Sequence, residues 1–356
     1  MEMRIKKSYI CKEVSSWEMP AKPMRSFRPA AGDVGIFEVL ELGKHKSIQS
    51  DTRRNVSILP GDRIMAAFGT RYATAQFEGY VPDDCNQELH ILGAGGTVGV
   101  VKSMHEKFSS IGPTKLKFLG PAVDKNGQVI NTRSLQAHRL TEFSGGAAGS
   151  TRVILSIGSS MDSGKTTSAA FLCRGLKKAG YRVAFIKLTG TVYTKDCDLN
   201  YDLGADLAAD FGEFGFPSTY MCSETELLDL YESLLVTASV AKPDYVVMEI
   251  ADGIYQRETM MLLQNAEFME TIYAVIFSAG DSLAAINGIQ VLEGLGIYPF
   301  AISGLLTASP LLIQETRTHC SLPVYTIEEL TNRTSFILKS VREKTAFSRR
   351  KLKRAS

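Results

Sequence analysis

The chain has 356 residues, of which 44% are hydrophobic and 22% are charged, and its formal net charge is +2. These values are ordinary for a soluble globular protein, and the charge alone gives no reason to expect a nucleic-acid or membrane partner. No apolar run approaches the roughly 20 residues that a membrane-spanning helix needs, and the charged start lacks the pattern of a secretory signal. The six cysteines are scattered without metal-site spacing, so we expect reduced thiols and a cytoplasmic protein. The length of the chain predicts two domains.

Residues 1–31 are polar and contain three prolines, which predicts an irregular N-terminal arm. Residues 32–135 alternate short apolar runs with turn sequences, which is typical of a small antiparallel β barrel or sandwich. The predicted strands of this β-rich domain are Val34–Leu42, Arg63–Phe68, Tyr72–Phe77, Gly96–Val101 and Lys115–Leu119. A Gly-rich interdomain linker is predicted over 136–151.

Residues 152–338 alternate apolar strands with helical patterns, which predicts an α/β domain with a mostly parallel sheet and helices on both faces. The predicted strands are Val153–Ile157, Val183–Ile186, Tyr245–Ile250, Ile272–Phe277, Phe300–Ser303 and a weaker Val324–Thr326. The predicted helices are Thr167–Ala179, Leu203–Phe211, Glu224–Ala238, Leu283–Leu295 and Leu311–Thr318. Sheets of this kind bind ligands at the carboxyl ends of their strands.

Residues 339–356 form a basic tail with eight Lys or Arg residues against one acid, Glu343. We interpret the tail as a solvated end of the chain. The alternative is an arm that binds nucleic acid or another acidic partner.

The most informative stretch of the sequence lies between the first α/β strand and the helix that follows it. It consists of Gly158, Ser159, Ser160, Met161, Asp162, Ser163, Gly164, Lys165, Thr166 and Thr167. A strand, a glycine-bounded loop, Lys-Thr and a helix together predict a phosphate-binding loop, or P-loop. Loop N–H groups and the helix start can bind phosphate, Lys165 can neutralise the terminal phosphates, and Thr166 can ligate Mg²⁺. An ordinary Gly/Ser turn explains the glycines and serines, but not the Gly-Lys-Thr-Thr run.

The P-loop has five residues between its glycines instead of the usual four, and in this it resembles dethiobiotin synthetase and its relatives. These belong to a wider P-loop class with the molybdenum-cofactor accessory GTPase and the cobyrinic acid amide-forming synthetases. Val183–Gly190 is similar to the family's second strand, and Tyr245–Gly253 is similar to its strand that ends in an acid. The resemblance covers about Thr151–Thr326, with two departures: Ser160 replaces an early Asp, and Ile-Ala-Asp-Gly follows Glu249.

The resemblance implies a P-loop enzyme that uses ATP and Mg²⁺ to phosphorylate or activate a small anionic substrate. Lys187 would be a second cation beside the γ-phosphate or the substrate anion; the alternative is a lysine that extends from its strand end into solvent. Glu249 ends a strand that should be buried, where an ionised acid needs a cation such as Mg²⁺ held with Thr166. Asp252 is the competing metal ligand or the base that positions water.

An acidic cluster follows Lys187 in the sequence, formed by Asp196, Asp198, Asp202, Asp206 and Asp210. The last three are spaced by four residues, so a helix would place them on one face. The resembling families bring a carboxylate toward Mg²⁺ in this region. Asp198 and Asp202 are therefore candidate metal ligands, with Asp206 left open, and a solvated helix face is the alternative.

Several other polar residues fall at the predicted ligand edge of the sheet. Arg257 can reach phosphate or form a surface salt bridge, while Asp281 and Ser303–Gly304 can contact the base or substrate or can cap helices. Cys197 also lies near the expected site, and we assign it no catalytic role.

The second hypothesis is a nucleotide-switched binding or accessory protein whose β domain and basic tail hold a protein or nucleic-acid partner. A nucleic-acid-stimulated ATPase is a third. ATP is preferred to GTP on the resemblance and because the sequence has no Asn-Lys-x-Asp string. No membrane partner is expected, and the sequence leaves a homodimer open.

Overall fold

The computed structural model describes residues 4–20, 27–334, 336–339 and 341, and the chain divides into two compact units. The β-rich unit consists of Met1–Leu140, Thr189–Thr194 and Phe211–Cys222, and the α/β unit consists of Thr141–Leu188, Lys195–Asp210 and Ser223–Ser356. Two segments from the second half of the sequence therefore belong to the β-rich unit. The predicted basic tail lies outside the described residues, apart from positions 339 and 341.

The β-rich unit is built mainly from short antiparallel strands. They are β1 (Ile5–Lys7), β2 (Val34–Glu41), β3 (Ser47–Gln49), β4 (Asn55–Ser57), β5 (Arg63–Phe68), β6 (Arg71–Tyr72), β7 (Phe77–Tyr80), β8 (Leu89–Gly93), β9 (Thr97–Met104) and β10 (Lys115–Pro121). Helix α1 (Thr132–Gln136) follows, and four 3₁₀ segments of the described residues complete the unit: Tyr9–Cys11, Glu106–Phe108, Ala137–Arg139 and Phe211–Phe214.

Five of these strands close into a barrel within the described residues. The hydrogen-bonded order β5-β2-β10-β8-β9 is closed by a parallel pairing of β5 with β9. Apolar side chains at alternate positions of the strands fill the interior, as the two-residue period of a strand requires. This core includes Phe37, Val39, Ile64, Ala66, Phe68, Leu89, Ile91, Val98 and Leu116. The antiparallel β-rich domain predicted from the sequence is confirmed.

Two local predictions for this unit were wrong. Tyr72–Phe77 is not one strand: a turn in which the Gln76 N–H donates to the Ala73 carbonyl folds β7 back on β6. The N-terminal arm is not irregular throughout, because β1 pairs in parallel with β5. The first miss is a local turn that the sequence pattern did not reveal. The second depends on pairing with a strand distant in the sequence, and local sequence does not carry that information.

The α/β unit alternates strands and helices along the chain. Its strands are β11 (Arg152–Gly158), β12 (Val183–Lys187), β13 (Leu207–Asp210), β14 (Tyr245–Glu249), β15 (Ile272–Ser278) and β16 (Ala301–Ser303). Its helices are α2 (Lys165–Lys178), α3 (Lys195–Asp202), α4 (Glu224–Ser239), α5 (Arg257–Gln264), α6 (Ala266–Thr271), α7 (Ser282–Gly294), α8 (Pro310–His319) and α9 (Ile327–Asn332), with a 3₁₀ turn at Leu305–Ala308. No helix among the described residues combines the length and apolarity needed to cross a bilayer.

The strands of this unit form a parallel sheet in the order β13-β12-β14-β11-β15-β16. Apolar residues from α2 pack with Ile276 in one core, while α7 approaches the neighbouring Phe277 through Gly288. Successive side chains of a strand point to opposite faces, so helices cover both faces of the sheet. The predicted α/β fold class is therefore confirmed.

The sheet order identifies one edge position by its topology. The chain leaves β11 toward β12, whereas it leaves β14 across β11 toward β15. A parallel sheet opens a crevice at the carboxyl ends of two neighbouring strands whose connections run in opposite directions. In this unit those two strands are β11 and β14, and their last residues are Gly158 and Glu249.

The predicted helix at Leu203–Phe211 was wrong. Helix α3 ends before Gly204, whose φ of +112° is a left-handed conformation that terminates helices. Leu207–Asp210 is instead the edge strand β13, paired in parallel with β12. The one-sided helix face predicted for Asp202, Asp206 and Asp210 does not exist, because pairing with the sheet overrides the helical propensity of this run.

Candidate functional site

The P-loop occupies the turn between β11 and α2. Strand β11 ends at Gly158, and α2 begins at Lys165. Gly164 precedes the helix with φ +94°, and Asp162 adopts φ +60° within the loop. The N–H groups in the first turn of a helix have no intrahelical acceptor, so this turn offers α2's first amides and its positive dipole end to an anion.

Backbone hydrogen bonds to three neighbouring segments hold the P-loop in place. The Ser159 N–H donates to the Ser278 carbonyl at 2.9 Å. The Ile254 N–H donates to the Gly158 carbonyl at 3.0 Å, and the Leu305 N–H donates to the Ser163 carbonyl at 2.9 Å. These partners follow or end β14, β15 and β16, so the carboxyl edge of the sheet fixes the loop from several sides.

Two of these contacts depend on glycine. A Cβ on Gly304, whose φ is +101°, would lie 2.4 Å from the Ser163 carbonyl oxygen. A Cβ on Gly253 would lie 2.4 Å from the Ser159 carbonyl oxygen. Both distances are far below van der Waals contact and involve backbone atoms, so a side chain at either position would displace the P-loop.

Lys165 lies inside the loop, and its side chain is directed at the loop backbone. The residue is 5% exposed, and its ammonium donates to the Ser160 carbonyl at 2.7 Å. Burial lowers the pKa of this ammonium, while the carboxylates of Glu249 and Asp252 raise it. A phosphate at the loop would add negative charge beside this ammonium and favour its charged form.

Glu249 ends β14 in the middle of the sheet and contacts the first turn of α2. In register it lies between Ser156 of β11 and Lys187 of β12. The residue is 2% exposed, and its Oε1 accepts a hydrogen bond from Thr166 Oγ1 at 3.0 Å. Its Oε2 is buried without a hydrogen-bond partner, an arrangement that a bound cation would satisfy.

The residues at this point fit Mg²⁺. A threonine hydroxyl and an adjacent buried carboxylate oxygen that lacks a partner are the hard oxygen donors that Mg²⁺ takes, the remaining positions going to water and phosphate. Among the residues that the structure describes, no group of three His, Cys, Asp or Glu side chains could hold a metal by itself. That finding is compatible with Mg²⁺, which is commonly bound through one or two protein ligands and the substrate's phosphates.

Lys187 ends β12 next to Glu249, with 3.8 Å between its Nζ and Glu249 Oε1. Its ammonium forms a direct ion pair with Asp196, in the first turn of α3. The Lys187 side chain is 13% exposed and that of Asp196 is 24% exposed. The structure thus brings Lys187 to the predicted edge, and it brings Asp196 there, which was not among the predicted site residues.

The remaining acids of the cluster are placed differently from one another. Asp198 lies half-buried within α3, and Asp202 is exposed at the end of that helix. Asp206 accepts hydrogen bonds from the Lys177 ammonium and from the Val183 N–H, so it belongs to the opposite end of β12. Asp210 is buried beside Lys187 in register and accepts a hydrogen bond from Cys197 Sγ at 3.8 Å.

The other predicted residues lie at or after the ends of β14, β15 and β16, with Arg257 at the start of α5. Asp252 adopts φ +60° just after β14, a conformation that non-glycine residues seldom take, although Asp tolerates it better than most. Arg257 donates to Glu258 at 2.5 Å. Asp281 caps α7 by accepting the Ala284 N–H at 2.8 Å, and the Ser168 and Ser303 hydroxyls are 3.0 Å apart.

Two serine hydroxyls beside the site also lack hydrogen-bond partners, which the sequence did not predict. The hydroxyls of Ser163 in the P-loop and of Ser278 at the end of β15 are buried without a hydrogen-bond partner. Register places Ser278 directly beside Gly158. Ser278 follows an apolar run in the sequence, and this position at a strand end could have predicted that it lies at the edge of the sheet where ligands bind.

No family model matches the sequence, and no curated protein matches it either. Among solved structures, a DUF1611 family protein from Anabaena variabilis has 15% identity and a TM-score of 0.39, covering 57% of this chain and 61% of that one. The signal recognition particle receptor FtsY from Elizabethkingia anophelis has 17% identity and a TM-score of 0.36, covering 61% and 75%. Its complex with GDP has 15% identity and a TM-score of 0.37, covering 54% and 63%.

The chain thus spans 61% of the length of the DUF1611 protein. The assignment of the fold depends on this chain's own geometry: a parallel sheet with β11 at its centre, a Gly-bounded loop after β11, and Lys165-Thr166 opening the next helix. Those features define the P-loop nucleotide-binding fold.

We predict that Gly253→Ala weakens nucleotide binding by about tenfold or more, equivalent to about 1.4 kcal/mol. The added methyl group meets the Ser159 carbonyl, so the P-loop must move from the conformation that presents its amides. Titration with a fluorescent nucleotide analogue measures the effect. Gly280→Ala is the matched control, because a Cβ there has no neighbour within 4 Å. Equal affinities for the two variants would contradict the prediction.

We predict that Glu249→Gln keeps nucleotide binding but lowers Mg²⁺-dependent turnover by about 10²-fold, because the near-isosteric amide lacks the charge that the metal needs. Turnover is measured across a Mg²⁺ titration. Glu232→Gln, an equally buried acid that holds Ser144 and the Ala147 N–H, is the control. If Glu249→Gln kept turnover at the wild-type level, the metal ligand would be Asp252, Asp198 or Asp202 instead of Glu249.

Proposed function

We propose that this protein is a P-loop enzyme that uses Mg²⁺-ATP to phosphorylate or otherwise activate a small anionic substrate. The observation that carries the proposal is the arrangement around Glu249: the hydroxyl of Thr166 and the ammonium of Lys187 both face one buried carboxylate at the crevice of the sheet. A triphosphate in the P-loop would have Lys165 and the metal on one side and Lys187 on the other.

Phosphoryl transfer needs little covalent chemistry from a protein, because positioning and charge stabilisation lower most of its barrier. The loop amides and Lys165 would hold the phosphates. Thr166 and Glu249 would hold Mg²⁺, which neutralises charge on the phosphate oxygens. Lys187 would stabilise the charge that develops on the transferred group or hold the substrate anion.

Asp252 is the candidate base in this scheme. It follows β14 immediately before Gly253, which touches the P-loop backbone. Its carboxylate is near enough to Lys165 to raise the pKa of that ammonium. Asp252 would accept a proton from the substrate or orient a water molecule. The preference for ATP rests on the dethiobiotin synthetase resemblance and on the missing Asn-Lys-x-Asp string.

One observation favours a second candidate, a nucleotide-switched binding protein. Thr189–Thr194 begins two residues after Lys187, the last residue of β12, and is part of the β-rich unit, as is Phe211–Cys222 after β13. If nucleotide binding moved Lys187, the segment that follows it in the sequence, which belongs to the β-rich unit, would be moved as well. Fast, substrate-dependent ADP release supports the enzyme, and slow turnover stimulated by a partner supports the switch.

We predict that Lys165→Ala lowers nucleotide affinity by about 100-fold or more, the scale of a lost charged hydrogen bond in a buried site, and leaves the fold intact. Affinity is measured with a fluorescent ATP analogue, and folding by thermal unfolding. Lys177→Ala, on the same helix but half-exposed and paired with Asp206, is the control. Unchanged affinity in Lys165→Ala would remove the nucleotide-binding proposal.

We predict that Lys187→Ala separates the two functions. In an enzyme, turnover should fall by about 10²-fold, because a preorganised ammonium in a dry site is lost, while ATP affinity should fall much less. ADP release is followed with small carboxylates as candidate substrates, with Lys178→Ala on α2 as the control. If the protein is a switch, the variant should keep its slow hydrolysis and change its affinity for the partner. An equal loss of ATP affinity and turnover would mean that Lys187 helps to bind the nucleotide.

A further inference from the structure

Two carboxylates compete for the ammonium of Lys187. One is Glu249, whose nearest oxygen is 3.8 Å from Lys187 Nζ. The other is Asp196, which forms the closer, direct ion pair. The proposed function requires this same ammonium to face a phosphate or substrate anion. Asp196 therefore holds the position that the anion would take.

The two carboxylates differ in how they are held. Glu249 is fixed at the end of a central strand, is almost fully buried and is bonded to Thr166. Asp196 lies in the first turn of α3, and its side chain is about a quarter exposed. Water can therefore solvate the Asp196 carboxylate after a change of rotamer, whereas separating Glu249 from cations would leave a charge buried. Asp196 is the acid that can leave Lys187.

Charge balance gives a second reason. Without ligand, both ammonium groups already have carboxylates near them: Asp196 and Glu249 beside Lys187, and Glu249 and Asp252 beside Lys165. Mg²⁺ with a triphosphate brings net negative charge into this group. The attraction between two opposite charges grows as they approach each other. Binding is therefore favoured when the Lys187 ammonium leaves Asp196 and moves next to the phosphate.

We propose that Asp196 is a specificity-determining residue that holds Lys187 until an anionic group reaching this ammonium displaces it. This inference depends on the proposed function. A triphosphate reaches Lys187 with its terminal phosphate and must break the Lys187–Asp196 pair. A diphosphate is held by Lys165 and the loop amides and leaves the pair intact. Asp196 thus selects against ligands that do not extend to Lys187.

The test compares Asp196→Asn with wild type for two probes, ADP and a non-hydrolysable ATP analogue, each titrated calorimetrically with and without Mg²⁺. We expect the variant to bind the triphosphate about tenfold more tightly, which corresponds to about 1.4 kcal/mol, and to bind ADP within about twofold of wild type. Glu293→Gln, at the exposed far end of α7, is the control for a lost negative charge. Thermal unfolding checks the fold, and Asp196→Ser serves if the amide variant is unstable.

Each other result overturns the inference. An equal gain for both nucleotides would mean that Asp196 acts only through long-range repulsion. A loss of triphosphate affinity confined to Mg²⁺ conditions would make Asp196 a metal ligand. No change would make the ion pair structural. Wild-type protein that binds neither nucleotide would refute the proposed function itself, and this outcome is distinct from all three.

Discussion

The buried carboxylate of Glu249 is the constraint on which the candidate site depends. An ionised acid at the end of a central strand is costly unless charges and hydrogen bonds surround it. The structure meets this requirement from two sides, with the Thr166 hydroxyl on the first turn of α2 and the Lys187 ammonium on β12. One group therefore links a strand, a helix and a second strand at the point where the sheet opens.

The rigidity of the P-loop follows from the same edge of the sheet. Segments after β14 and β16, together with the last residue of β15, exchange backbone hydrogen bonds with the loop. Gly253 and Gly304 allow that approach, because a methyl group at either would overlap a loop carbonyl. A loop braced in this way keeps its amides aimed at one place before a ligand arrives, which lowers the cost of binding.

Both lysines at this edge of the sheet already have oxygen partners within the protein. Lys165 donates to the Ser160 carbonyl, and Lys187 pairs with Asp196. In the proposed function, phosphate oxygens would replace these protein oxygens as partners of the two ammonium groups. The chain that joins Lys187 to Asp196 includes Thr189–Thr194 of the β-rich unit, which gives that unit a covalent connection to both ends of the ion pair.

The sequence by itself determined the P-loop, the long helices and the central strands, because their signals are local. Helices show a hydrophobic period of about 3.6 residues, buried strands are short apolar runs, and the P-loop is a glycine-bounded loop followed by Lys165-Thr166. It placed Glu249 and Lys187 at strand ends, and register then made them neighbours. Only the tertiary structure decided that Leu207–Asp210 is a strand, that β5 closes on β9, and that Asp196 pairs with Lys187. Each of these depends on a partner distant in sequence or across a turn, and pairing energy of that kind leaves no local pattern to read.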